Sequence, residues 1–303
     1  MARVLVHLPL NISRALNEML KAYGRVMEKK HGIKVEIVSQ LQCQPHEGGV
    51  KIKPLAEDIP DLVLGHVNHF AGLPDEYVSE HFRALPGRFD LRRELAEAGF
   101  ADPRGFFHPF TVVPFAAFYN PDVLAEKEIP RVWEDLLDKR WRGGIAMPDE
   151  YHMAPRMIRS LVKADYPERF ADFRDNLVYL GAPLNVVNAV DEGRCPLGIT
   201  NISFARISHT KNIQLLWPGD GMFCMPLVMV WNREADERLL EIGDFLLSRQ
   251  VQEYLALQTF VPVSPAVAIP ELLSEHGLKL RWRGWEDYLR AVRADEYSAG
   301  TDA

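Results

Sequence analysis

The stretch 118-FYNPDVLAEKEIPRVWEDLLDKRWRGGIAMPDE-150 decides how this chain is read. It carries Tyr119-Asn120, then Pro130, Trp133 and Asp135-Leu136-Leu137, then Trp141 with Gly143-Gly144, and closes on Met147-Pro148-Asp149. Gly144 to Met147 is a short apolar run between a glycine and a proline, the pattern of a strand covered on both faces by helices. Working outward, Leu62-Val63-Leu64, Leu197 to Ile199 and Leu227 to Val230 are runs of the same kind, each bounded by Gly, Pro or Asp or by a polar step. From Asp236 to Leu257 the apolar residues Leu239, Leu240, Ile242, Phe245, Leu246, Val251, Tyr254 and Leu255 recur at three- and four-residue spacing, which predicts one amphipathic helix. Buried strands alternating with such helices give an α/β protein of helix-flanked sheets, with Trp133 and Trp141 as packing residues.

The order of motifs in residues 118–150 resembles the start of the second lobe of a type II periplasmic solute-binding protein, the substrate-binding component of an ABC importer, in its ferric-iron, phosphonate and polyamine-binding branch. Two more blocks extend the resemblance over most of the chain. Asp191-Glu192-Gly193 followed by Leu197-Gly198-Ile199 is similar to the family's helix-to-strand step. Gly219-Asp220-Gly221, the hydrophobic run to Trp231, Phe245-Leu246-Leu247-Ser248 with Val251-Gln252 and Leu255, and Val261-Pro262-Val263-Ser264-Pro265 resemble its C-terminal part.

The resemblance implies a two-lobed fold, each lobe a mixed sheet flanked by helices, and a non-catalytic protein that closes its lobes on a small ligand. It also implies two crossings between lobes, placed here at Phe110 to Tyr119 and Phe223 to Trp231. Pro114 and Pro226 interrupt these runs, and proline, lacking an N–H, marks the irregular strands a hinge tolerates. The expected division is a first lobe from 1 to 112, a second lobe from 113 to 227, and a return to the first lobe over 228–303, with the final helix free to pack on the second.

Composition bounds the function. The chain has 303 residues and a formal net charge of −7, which argues against nucleic-acid or anionic-membrane binding through a basic face. Its longest apolar run, Met225 to Trp231, is strand-sized, so no membrane span is expected. Met1-Ala2-Arg3-Val4-Leu5-Val6-His7 reads directly as a strand without the basic, apolar and small-residue regions of a signal peptide, and the three cysteines are an odd number. As the sequence stands this points to the cytoplasm; a periplasmic or other extracytoplasmic home is the alternative if a leader was removed. An ABC permease is the implied partner of an exported form.

Ligands of open α/β sheets bind beyond the carboxyl ends of the strands, where helix N-termini offer N–H groups and partial positive charge. The candidate ligand-binding residues are therefore those of the strand-to-helix turns. They are His7, Asn11 and Ser13, with Asn11 or Ser13 as helix cap; Gln40 and Cys43; His66, Asn68 and His69; Tyr151, His152 and Met153; and Asn201, Ser203 and Phe204. As turn residues they are expected to be exposed. The adjacent tyrosines by which iron-carrying relatives hold ferric ion would fall at Asn201-Ile202-Ser203-Phe204, where no tyrosine stands. The Asp149-Glu150-Tyr151-His152-Met153 turn is acidic and bulky, unlike a phosphate cradle.

What the turns carry is soft and borderline donors, with Cys43-x-x-His46 and His66-x-x-His69 at chelating spacing. The candidate metal ligands are His7, Cys43, His66, His69 and His152; no cofactor is assigned. Against this stands the plain reading that these histidines cap helices or bond carbonyls, and that Met222, Cys224 and Met225 fill a core. Nucleophile-elbow, Walker, His-Glu-x-x-His and dinucleotide motifs are not found, so an enzyme is not expected. An enzyme or a metallocofactor-handling protein on the same fold remains the alternative. A regulator's sensing domain would need a separate DNA-binding partner.

Overall fold

A computed structural model describes residues 1–39 and 59–298. The strands, in chain order, are β1 (Ala2–His7), β2 (Val35–Ser39), β3 (Leu62–His66), β4 (His108–Tyr119), β5 (Ile145–Met147), β6 (Leu177–Tyr179), β7 (Leu197–Asn201), β8 (Gln214–Leu215), β9 (Met222–Trp231), β10 (Val261–Pro262) and β11 (Leu280–Arg281). Each of the four apolar runs read from the sequence forms a strand or part of one. The chain groups into two compact units, Met1–Val113 with Met225–Pro270, and Pro114–Cys224 with Glu271–Ala303. The divisions fall inside β4 and β9.

In the first unit β1 lies between β2 and β3, parallel to both, and β3 pairs antiparallel with Leu227–Trp231 of β9. The helix Leu10–His31 covers this sheet with Ile12, Leu16, Leu20 and Met27 buried along one stripe, and Gly32 ends it at φ 71°, a left-handed conformation suited to glycine. The helix starts at Leu10 behind Pro9, whose carbonyl accepts from Ile12 and Ser13 N–H. Asn11 and Ser13 thus lie inside the first turn and neither caps it, because proline ahead of Leu10 already sets the entry geometry.

The single helix expected over 236–257 is instead a short 3-10 turn at Glu237–Leu239, a helix at Leu240–Leu246 and another at Arg249–Leu257. Gln252 explains the break. Its fully buried carboxamide donates to the carbonyls of Phe110 and Leu246, each at 2.8 Å, and accepts from Val263 N–H at 2.8 Å and Ser264 N–H at 3.2 Å. A continuous helix would take the Leu246 carbonyl into its own ladder.

In the second unit the strand order is β4-β7-β5-β6, with β5 parallel to β6 and β7 and with β4 antiparallel to β7. Trp133 is buried here and donates through Nε1 to the Gly221 carbonyl at 2.8 Å, while Trp141 Nε1 bonds the Asp135 carbonyl at 2.8 Å. Residues from Glu271 onward group with this unit, whereas the sequence-based division returned 228–303 to the first lobe and left only the final helix free to pack on the second. The cause is a set of contacts no local pattern announces. β11 pairs with Met222 and Phe223, Arg281 and Arg283 both bind the Asp165 carboxylate, and Arg281 also binds Asp220. The helix Trp285–Ser298 packs beside the helix Met153–Asp165.

Candidate functional site

In the first unit, parallel pairing sets His7 opposite Gly65, so the turns that follow β1 and β3 leave the sheet side by side. Three imidazoles meet there. The His7 and His69 rings stack with centroids 4.1 Å apart, His66 stands edge-on to His7 at 6.1 Å, and His66 and His69 are 5.6 Å apart. Gly65 gives them room: a Cβ on it would lie 3.2 Å from the His7 carbonyl oxygen and 3.3 Å from His69 Cδ2, so that these neighbours would have to give by a few tenths of an ångström. The expectation of exposed turn residues is corrected, since His7, His66 and His69 are only 3%, 2% and 8% exposed. His69 belongs to the 3-10 turn Val67–Phe70, all four residues of which, Asn68 included, are buried.

Burial governs their chemistry. It pushes the His7 pKa down to about 4, and burial together with the neighbouring His7 holds His66 well below the ordinary imidazole range. Both are neutral near pH 7 and carry a nitrogen lone pair. Neither ring nitrogen of His7, and neither polar atom of the Asn11 carboxamide, has a hydrogen-bond partner among the described residues. Ser13 is occupied: its hydroxyl accepts from Asn17, which also reaches Ser39. Gln40, Cys43 and His46 lie outside the described residues.

In the second unit the turn after β5 leads into the helix Met153–Asp165, with His152 at its N-cap position and Met153 as its first residue. Tyr151 is exposed and its ring lies 4.4 Å from that of His152, which is half-buried, has its pKa lowered by burial, and leaves Nε2 unbonded. Both carboxylates of the turn have partners within the unit. Asp149 accepts from Gly181 N–H at 2.6 Å, and Glu150 pairs with Arg159 at 2.7 Å. At the end of β7, Asn201 caps the helix Ile202–Ala205 by accepting from Phe204 N–H at 3.3 Å. Ser203 is half-buried, and Phe204 packs at the edge of the cluster formed by Phe118, Ala146, Val186 and Val190.

The structure therefore brings His7, His66 and His69 together in one unit and sets His152 in the other. Among the described residues no three His, Cys, Asp or Glu side chains stand in an arrangement that would hold a metal ion. None of the described helices is long and apolar enough to cross a membrane.

One residue that shapes a turn escaped the sequence reading. Asp191 accepts from the Ser208 hydroxyl and His209 N–H, each at 2.8 Å, from Thr210 N–H at 3.1 Å and from the Thr210 hydroxyl, and so ties down the segment after the Asn201 turn. Burial pushes its carboxyl pKa up, but these donors outweigh that effect and hold it below the usual range. In the sequence it showed only as the acidic end of a helix.

Residues 57–291 match the family model described as bacterial extracellular solute-binding protein. A search of curated proteins gives no match. Among solved structures, the apo ferric ion-binding protein A of Pasteurella haemolytica superposes with a TM-score of 0.75 at 15% identity, over 99% of this chain and 96% of its own. The ferric binding protein of Campylobacter jejuni gives 0.72 at 13% identity, covering 99% and 97% of the two chains. Iron-bound HitA of Pseudomonas aeruginosa gives 0.69 at 15% identity, covering 99% and 100%. The fold is that of the two-lobed periplasmic binding proteins, and the role that accompanies it is solute binding without catalysis.

Proposed function

Because the chain belongs to the bacterial extracellular solute-binding protein family, we propose that it acts outside the cytoplasmic membrane, takes up a small anionic or metal-containing solute at its strand-end turns, and presents it to an ABC permease. The observation that carries this is the turn region after β1, where His7 and Asn11 keep buried polar atoms without partners among the described residues. Such a group costs about 1–3 kcal/mol when left unsatisfied, and a fold tolerates it where another molecule meets it. The ferric-ion binding of the structural relatives supports a metal-containing solute. The missing tyrosines at 201–204 separate this chain from phenolate chemistry.

The test is native mass spectrometry with elemental analysis on protein purified anaerobically from its own host, alongside fractionation of the cells. A copurifying mass or metal at one equivalent, in the extracytoplasmic fraction, is the expected result. Protein that carries no solute, and whose melting temperature is moved by no metal or metabolite pool from that host, would overturn the reading.

A further inference from the structure

The turn between β1 and the helix Leu10–His31 carries polar groups of a kind that selects among solutes. We propose that His7 and Asn11 bind a carboxylate with a hydrogen-bond donor on its adjacent carbon, the class of the α-hydroxy acids and α-amino acids. This rests on the solute-binding reading and names the class of solute.

Hydrogen-bond parity is the first ground. His7 is nearly fully buried, and neither of its ring nitrogens has a partner among the described residues; the same holds for both polar atoms of the Asn11 carboxamide. The two residues belong to one turn, separated only by Leu8-Pro9-Leu10. The imidazole offers an N–H, and the carboxamide offers two more together with an accepting oxygen. A bare oxyanion such as sulfate only accepts, so it leaves the Asn11 oxygen unmet, while a bare cation leaves every N–H unmet. A carboxylate beside a hydroxyl or ammonium group answers both kinds.

Charge is the second ground. Neither Leu8 to Ser13 nor Val67 to Phe70, the turns that follow β1 and β3, contains a lysine, arginine, aspartate or glutamate. The 22-residue helix starts at the first of them with no acidic residue in its first turn and no side-chain cap, so nothing in that turn offsets its positive end. A partial charge of about half a unit suits one carboxylate better than a phosphate dianion, and it opposes a cation. Among the described residues no three His, Cys, Asp or Glu side chains are placed to hold a metal ion, which favours the anionic solute over the metal-containing one.

Calorimetric titration of the whole chain with lactate, malate, alanine and glutamate tests the proposal. Propionate, succinate and glutarate serve as analogues without the α-donor, with sulfate and zinc chloride as controls. At least one of the four probes is expected to bind at one equivalent with a Kd below about 100 μM, and its analogue roughly 10-fold more weakly or worse. His7→Leu, Asn11→Leu and Asn11→Asp should each weaken that binding roughly 10-fold or more. In the empty protein the two leucine variants should melt at the same temperature as wild type or higher, because each removes an unmet buried polar group. A lowered melting temperature in both would assign these side chains to the fold and overturn the proposal. Should the leucine variants fail to fold, Asn11→Asp decides, since it keeps the shape and sets one carboxylate against another. No binding of any of the four probes, analogues that bind as tightly, or unchanged affinity in all three variants also overturns it. Sulfate or zinc bound at one equivalent and lost in these variants does the same, while leaving the solute-binding reading intact.

Discussion

His7 and His69 lie ring on ring, 4.1 Å between centroids and 29° between planes, although sixty-one positions of sequence separate them. A neutral His7 ring stacks in this way without penalty. Two imidazolium ions in the same place would repel each other with little water to screen them.

Acid should therefore loosen the first unit. His7 and His108, both buried, have pKa values near 4 in the folded chain against 6.5 when exposed. The unfolded chain binds protons first, so stability is fully present above pH 6.5 and is lost as pH falls from 6.5 toward 4, by about 3 kcal/mol for each group. Urea midpoints measured between pH 7.5 and 4.5 should fall accordingly. His7→Leu should flatten the slope, and an unaltered slope would remove His7 from the account.

Gln252→Ala should be among the most damaging single substitutions. It leaves two buried N–H groups and two buried carbonyls without partners. Full satisfaction is not recovered by any neighbour, and a loss of roughly 3–4 kcal/mol follows. An unfolding free energy from urea titration within about 0.5 kcal/mol of wild type would show that water replaces the carboxamide.

Asp165→Asn tests what holds the C-terminal segment. The substitution weakens the pairing of both Arg281 and Arg283 at once, in a partly buried setting. A loss of about 1–3 kcal/mol is expected, seen first as faster hydrogen exchange in the helix 285–298. Uniform acceleration over the whole chain would mean that the ion pairs do not act locally.

Asp191→Ala should free the segment 205–212 without unfolding the second unit. Four donors lose their acceptor, and Lys211, held at φ 57°, loses the loop that imposes that conformation. Limited proteolysis should cut at Arg206 or Lys211 at least several-fold faster. Equal cleavage rates would place the restraint elsewhere.

The strands at 62–64, 144–147, 197–199 and 227–230 were legible because each is a compact apolar run bounded by glycine, proline or a polar residue, whereas β6, β8 and β11, two or three residues long and only partly buried, were not read. Trp133 and Trp141 were legible as packing residues. The break at Leu247-Ser248 was not, because the periodicity of Leu246 and Val251 continues straight through it. Only Gln252, bonded to Phe110 and Val263, requires the interruption. The grouping of residues after 271 was equally hidden, since Arg283 and Asp165 are 118 positions apart. At the turns, the sequence located His7, His66 and His69 but misjudged their exposure. A histidine at the end of a strand carries no mark of the burial that tertiary packing imposes on it.

The pairing of β3 with β9 has a consequence for the nascent chain. Leu62, Val63 and Leu64 lie buried in β3, but its partner from Leu227 to Trp231 emerges from the ribosome on the order of ten seconds later. During that interval β1, β2 and β3 can assemble and still leave the backbone edge of β3, with its apolar Leu62-Val63-Leu64, open to any other strand. Such a chain is a natural client for a chaperone that binds extended hydrophobic segments, and its yield in overexpression should depend on elongation rate more than on the stability of the finished fold.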